Sequence, residues 1–168
     1  DRYYFKHLRL IDRTMNQEVI HQIVNIMIDL ENITILIRAA KQKQSRSFLI
    51  GILSSEGTVD KTLLIDEVLE KGTEALIDLY RHVPYYDKIV AILEQEEHPV
   101  FALELLKEEL IYHILEEATF EPFGPLPSLA YIHALEMEVK NLRLLLVGVD
   151  NEFTEEQLRE RMRPVYVS

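Results

Sequence analysis

The sequence contains no cysteine, so it has no disulfide framework, thiol nucleophile or zinc-thiolate site. Glycine and proline are scarce, at five and six, which disfavours a turn-rich β fold and favours helices. Basic residues are outnumbered, 18 against 29 acidic, for a net charge of −11. That balance argues against nucleic acid as a partner, because phosphate contacts need basic patches. No apolar run is long enough to span a bilayer. Ile23–Leu30 is interrupted by Asn25 and Asp29, and Leu144–Val149 is short. No signal peptide is visible, and the chain opens on Asp1, which points to a fragment or a processed form. What remains is a 168-residue chain, 48% hydrophobic. It suffices for one domain with a substantial core or for two small ones.

The pattern along the chain is helix after helix. Residues 3 to 12 form a short amphipathic piece. A long helix is predicted from an Asn16 N-cap, with Met15 and Ile20 as a hydrophobic staple. Its apolar seam, Val19, Ile23, Ile26, Leu30, Ile33 and Ile37, falls on one stripe. A short helix and a turn at SSEGT follow within residues 45 to 57. Further helices are predicted over 60–70, capped by Gly72, and over 73–81, 85–96 and 99–118, the last opened by Pro99. FEPFGPLPS at 120–128 reads as a linker. A second long helix is predicted over 128–148. The last helix is marked by a Thr154/Gln157 capping box, a Phe153/Leu158 staple and three arginines before Pro164.

The two long helices match at an offset of 109. The second seam, Ile132, Leu135, Val139, Leu142 and Leu146, aligns with Ile23, Ile26, Leu30, Ile33 and Ile37. The same offset pairs Asn141 with Asn32 and Glu138 with Asp29. A seam alone is generic, whereas an amide and an acid at the same phase are less so. Each pair lies three residues apart on one face, which predicts hydrogen bonds from that face to a neighbouring helix end or loop. Each long helix then anchors a similar bundle.

Candidate chemical sites are few. The stretch from Gly51 to Thr58 is one residue too long for a phosphate loop and lacks its lysine, so a plain turn is the better reading. Glu109 and His113 share a helical face, and Glu18 and His21 have the Glu-x-x-His spacing. Together they define an alternative, a helical metal-dependent hydrolase or oxidase that stoichiometric iron, manganese or zinc would reveal. A di-iron bundle needs a second Glu-x-x-His copy, which is missing. A solvated charged face therefore explains these residues better. No Gly-x-Ser-x-Gly elbow is present. Arg38 and Arg143 interrupt apolar helices, as interface arginines or as satisfied internal pairs. For Arg143 the expected internal partner is Glu136, two turns away, with Lys140 nearby. The tyrosines at 3–4 and 85–86 read as half-buried packing. A generic helical adaptor of the solenoid type would need a repeat of roughly 34 to 47 residues, shorter than the offset found.

FGPLPSLAYIHALEMEVKNLRLLLVG, followed by LRERMRPVYV, closely resembles the C-terminal region of the C subunit of the bacterial and archaeal V/A-type rotary ATPases, the counterpart of the d subunit of the eukaryotic vacuolar ATPase. IDLENITILIRA is similar to that family's internal motif, and YYFKHLRLID to the helix before it. Leu126, where an acid is expected, and the glycine-poor SSEGT turn depart from the family pattern. The resemblance implies an all-α fold of helical bundles arranged as pseudo-repeats. The chain would supply two of the three lobes of a funnel-shaped subunit, over residues 1–97 and 98–168. It implies a non-catalytic rotor subunit with no cofactor, peripheral on the cytoplasmic face of the membrane. Such a subunit is a socket that links the central shaft to the membrane rotor ring and couples ATP hydrolysis or synthesis to ion transport. The motif residues carried over are Asp29, Asn32, Arg38, Glu136, Glu138, Asn141 and Arg143, with structural or interface roles.

Overall fold

A computed structural model describes residues 2–118 and 124–164. The described residues form nine helices and no strand, an all-α fold. In order they are α1 (Arg2–Met15), α2 (Glu18–Lys41), α3 (Arg46–Ile52), α4 (Lys61–Lys71), α5 (Ala75–Leu79), α6 (Tyr86–Gln95), α7 (Pro99–Ala118), α8 (Leu126–Asp150) and α9 (Glu155–Arg159). The chain divides into two compact units, Asp1–Leu106 and Lys107–Ser168, with the boundary inside α7.

Unit 1 is built around α2. Its side chains are buried on every side, not only along the seam: Ile28, Leu30, Ile33 and Leu36 are all but inaccessible, and Thr34 and Ala39 are buried too. A helix that is apolar all round belongs inside a bundle, and α1 and α4 pack against it. Local chemistry sets the ends of the smaller helices. The Ser45 hydroxyl accepts from the Phe48 amide to start α3, and the Asp60 carboxylate accepts from Thr62 and Leu63 to start α4. Gly72 closes α4 at φ +85°, a backbone region that costs glycine nothing.

Of the predicted boundaries that move, two have a local cause. Asn16 does not cap α2; Gln17 holds that position without a side-chain bond. Asn16 instead follows α1 in the left-handed region, at φ +47°, its amide bonded to the Asp12 carbonyl. Asparagine tolerates that conformation better than most side chains. The second long helix starts at Leu126 rather than 128, because Pro127 sits in the first turn, where its missing N–H costs nothing. Residues 119–123 of the predicted linker lie outside the described residues.

In unit 2, α8 buries Leu126, Ala130, Met137, Asn141 and Gly148. The Thr154/Gln157 capping box is complete in both directions and starts α9. The seam predicted for burial is not buried: Ile132, Leu135, Val139, Leu142 and Leu146 are all exposed. Periodicity identifies an apolar stripe but not what lies against it. Tyr3 and Tyr4 are likewise exposed rather than half-buried.

Candidate functional site

A buried polar cluster in unit 1 lies where α2 meets the loop between α3 and α4. Asn32 is buried, and its amide reads the backbone of Ser54 in both directions. Its Nδ2 donates to the Ser54 carbonyl at 3.1 Å, and its Oδ1 accepts from the Ser54 amide at 3.0 Å. One turn earlier, Asp29 is fully buried. Its carboxylate accepts from the Thr58 amide at 2.8 Å, the Thr58 hydroxyl at 2.6 Å and the Tyr85 hydroxyl at 3.4 Å. Burial pushes the Asp29 carboxyl above its ordinary range; the Thr58 and Tyr85 bonds and the nearby His82 pull it part of the way back. The same burial and the Asp29 charge raise the Tyr85 phenol. Gly57 lies between these partners, where a side chain would crowd them. A Cβ there would stand 2.7 Å from Asp29 Oδ1 and 3.3 Å from Asn32 Nδ2.

His82 Nε2 lies 3.0 Å from the Thr58 hydroxyl, which completes a carboxylate–hydroxyl–imidazole chain. The order is wrong for acyl transfer. There the carboxylate orients the imidazole, which in turn takes the proton of the hydroxyl. Here the hydroxyl donates to the carboxylate directly, so the chain holds a loop and does not activate a nucleophile.

Arg9 forms a second hub beside a polar cleft of about 660 Å³. It donates to Asp12 at 2.8 Å, Asn25 at 2.6 Å and the Glu56 carbonyl at 2.6 Å, and so ties α1 to α2 and to the same loop. His21 Nδ1 lies 2.9 Å from Asp12. Burial raises the Asp12 carboxyl, but hydrogen bonds and charge from His21 and Arg9 outweigh it and leave the group below its ordinary value. The Arg9 guanidinium is thus committed to internal partners, whereas Arg13, also on the cleft lining, is largely exposed. Sequence reasoning missed this hub, because a buried arginine on a short amphipathic helix looks like any surface arginine.

Unit 2 repeats the Asn32 arrangement. Asn141 Nδ2 donates to the Arg163 carbonyl at 3.0 Å, and its Oδ1 accepts from the Arg163 amide at 2.8 Å. Both clamps join residues 22 apart, and Ser54 and Arg163 differ by the same 163 − 54 = 109 as the asparagines. The correspondence extends further. The N-caps Ser45 and Thr154 differ by 154 − 45 = 109, and so do their acceptor-bound amides, Phe48 and Gln157. Shifting α2 by 109 gives 127–150, against 126–150 for α8. Ala39 becomes Gly148, where a Cβ would run into Leu158, the counterpart of Leu49. The repeat therefore covers helix, turn, cap and loop, well beyond one seam.

The other motif residues are placed less deeply. Arg38 pairs with Glu104 at 2.9 Å on the surface of unit 1, an exposed pair rather than an internal one. Glu136, Glu138 and Arg143 are exposed on α8, and no ion pair joins Arg143 to Glu136 among the described residues. Lys140 reaches across to Glu108 at 2.6 Å instead, and Arg163 donates to the other oxygen of Glu108 at 2.8 Å. A nearly buried carboxylate between two cations makes a better partner than an exposed one on the same helix. The residues considered for metal binding are not gathered into a site. Glu18 and His21 lie at the cleft of unit 1. His113 makes loose, exposed pairs with Glu109 and Glu116 at 3.8 and 3.6 Å in unit 2. Among the described residues no group of three or more His, Asp or Glu is placed to hold a metal ion. No helix among them is long and apolar enough to cross a membrane.

Comparison with known proteins gives concordant matches. The family described as ATP synthase (C/AC39) subunit matches residues 1–161. The C subunit of the V-type sodium ATPase of Enterococcus hirae is 36% identical over 159 residues, which are 94% of this chain and 48% of that protein. The C subunit of the A-type ATP synthase of Methanosarcina acetivorans is 24% identical over 154 residues, 89% of this chain and 41% of that protein. The chain thus spans just under half the length of these relatives. No solved structure gives a significant match.

Proposed function

Since the chain belongs to the ATP synthase (C/AC39) subunit family, we propose that it acts as part of a non-catalytic rotor subunit. In this reading it is a socket between the central shaft and the membrane ring, and it couples ATP hydrolysis or synthesis to ion transport from the cytoplasmic face. The observation that carries the reading is the family match over nearly the whole chain. The site geometry supports it physically. A coupling element must resist twist, and close-packed interiors transmit strain rather than absorb it. The buried carboxylate and the two asparagine clamps are spent on fixing loops to the long helices, not on a reacting group. Asp29, Asn32 and Asn141 are the residues proposed to provide that stiffness; Arg38, Glu136, Glu138 and Arg143 are proposed for the surface that meets other subunits.

The test is a binding measurement with the chain immobilised and the purified shaft subunits and rotor ring of its own ATPase as analytes. The full-length C subunit of Enterococcus hirae, assayed with its own shaft and ring, serves as the positive arm. Binding by the 168-residue chain, weaker than that of the positive arm, is expected. If the chain bound neither shaft nor ring, the rotor reading would fail.

A further inference from the structure

The chain of Asp29, Thr58 and His82 runs from a fully buried carboxylate to an exposed imidazole. Its protons can be placed by elimination. An ionised carboxylate only accepts, and a threonine hydroxyl carries a single proton. The Thr58 oxygen lies 2.6 Å from Asp29 Oδ2, so its proton points inward; two oxygens that close with no proton between them repel. On its other side the hydroxyl oxygen is then an acceptor. His82 Nε2, 3.0 Å away, therefore carries the ring proton, and Nδ1 keeps the lone pair.

A proton on Asp29 reverses both bonds. Oδ1 accepts from the Thr58 amide at 2.8 Å, so the proton sits on Oδ2. There Thr58, at 2.6 Å, is a closer acceptor than Tyr85, at 3.4 Å. The Thr58 hydroxyl accepts that proton and turns its own outward, and His82 Nε2 must meet it with a lone pair. We propose that these three residues form a proton relay in which the charge of buried Asp29 sets the tautomer of exposed His82. An ionised Asp29 selects Nε2–H, and a neutral Asp29 selects Nδ1–H. The balance is one proton. It enters from solvent at Nδ1, Nε2 passes its proton to the Thr58 oxygen, and the hydroxyl passes its own to Asp29. The other titratable groups that face Asp29 are the Tyr80 and Tyr85 phenols, which burial and the Asp29 charge keep protonated. The Tyr80 ring also stacks with the His82 imidazole, 6.3 Å between centroids. All of these groups belong to unit 1, and the proposal does not rest on the rotor reading.

The test reads the nitrogen NMR shifts of the His82 ring in the 168-residue chain, assigned by their loss in His82→Gln. The pH is about 8.5, above the ordinary histidine value. The parent is expected to hold Nε2–H. Asp29→Asn mimics the neutral acid: the Thr58 amide selects its carbonyl oxygen, so its NH2 group faces the Thr58 hydroxyl. It is expected to raise the ratio of Nδ1–H to Nε2–H by about fivefold, the size that one neutral hydrogen bond supports. In a Thr58→Val background the same substitution leaves the ratio unchanged. A folded Asp29→Asn variant with the parent's ratio overturns the proposal, and so does a shift that persists without the Thr58 hydroxyl. Should Asp29→Asn fail to fold, Thr58→Val alone decides. Loss of the hydroxyl must lower the Nε2–H share relative to the parent, and an unchanged share overturns the relay.

Discussion

Asn32 and Gly57 carry the sharpest residue-level expectations. Removing the Asn32 amide leaves a buried N–H and C=O of Ser54 without their partner. At about 1–3 kcal/mol per unsatisfied group, Asn32→Ala should cost about 3 kcal/mol, read as a lowered urea midpoint. Asn141→Ala should cost less, because its bonds to Arg163 are only partly buried and water can replace them. Gly57→Ala pushes a methyl group onto a carboxylate already fixed by three hydrogen bonds. It should cost about 1–3 kcal/mol, as overpacking does, and a variant with an unchanged midpoint would show that the loop can give way. Asp29 adds a pH signature. Its folded form holds a proton more tightly than the unfolded chain does, because burial raises it. Its contribution is therefore fully present below the ordinary carboxylate value and is lost as pH rises through the raised one. Asp12 runs the other way, its contribution being lost as pH falls through its lowered value. Asp29→Asn should thus gain stability relative to the parent as pH rises across the Asp29 interval, then level off. Parallel stability curves for the two proteins would contradict the assignment.

At the scale of single elements, the caps decide the small helices. α3 and α9 are too short to persist on propensity, and each begins at a hydroxyl that accepts from the third amide. Ser45→Ala and Thr154→Ala should each cost about 1 kcal/mol, visible as faster amide exchange within the affected helix and little change elsewhere. Much at this scale is legible in the sequence. The capping box, Pro99 and Gly72 are local signals, and the positions of most helices follow from periodicity. Two kinds of feature are not legible. The asparagines stand out, but their partners are backbone groups of Ser54 and Arg163, which leave no mark in side-chain identity. The seam of α8 is a stripe, as its periodicity says, but it is not core, since burial depends on what else is present. Helical phase matches Arg143 with Glu136, while Lys140 and Arg163 find a better-buried acid on α7, Glu108.

For the whole molecule, the net charge of −11 is the property that acts at a distance. Steering between oppositely charged surfaces raises association rates and is screened beyond about 8–10 Å at ordinary salt. If the charge guides the proposed docking onto a partner with a basic surface, the association rate should fall steeply with added salt while the dissociation rate changes little. A salt-independent association rate would remove the charge from the mechanism. The repeated architecture itself is visible in the sequence only as one matched helix. Its reach into turn, cap and loop is evident from hydrogen bonds and helix ends, which do not require matching residues.

The 22-residue span of the two clamps also bears on how the protein forms. Closing a loop of that size is entropically inexpensive, and growth of the cost with length is slow. Contacts so close in sequence form early, before distant parts of a chain need to meet. Each long helix with its following turn and loop is thus a unit that a ribosome can release already latched. Duplicating such a self-latching piece adds a stretch of protein that folds on its own schedule, which makes it a tractable unit for evolution to copy.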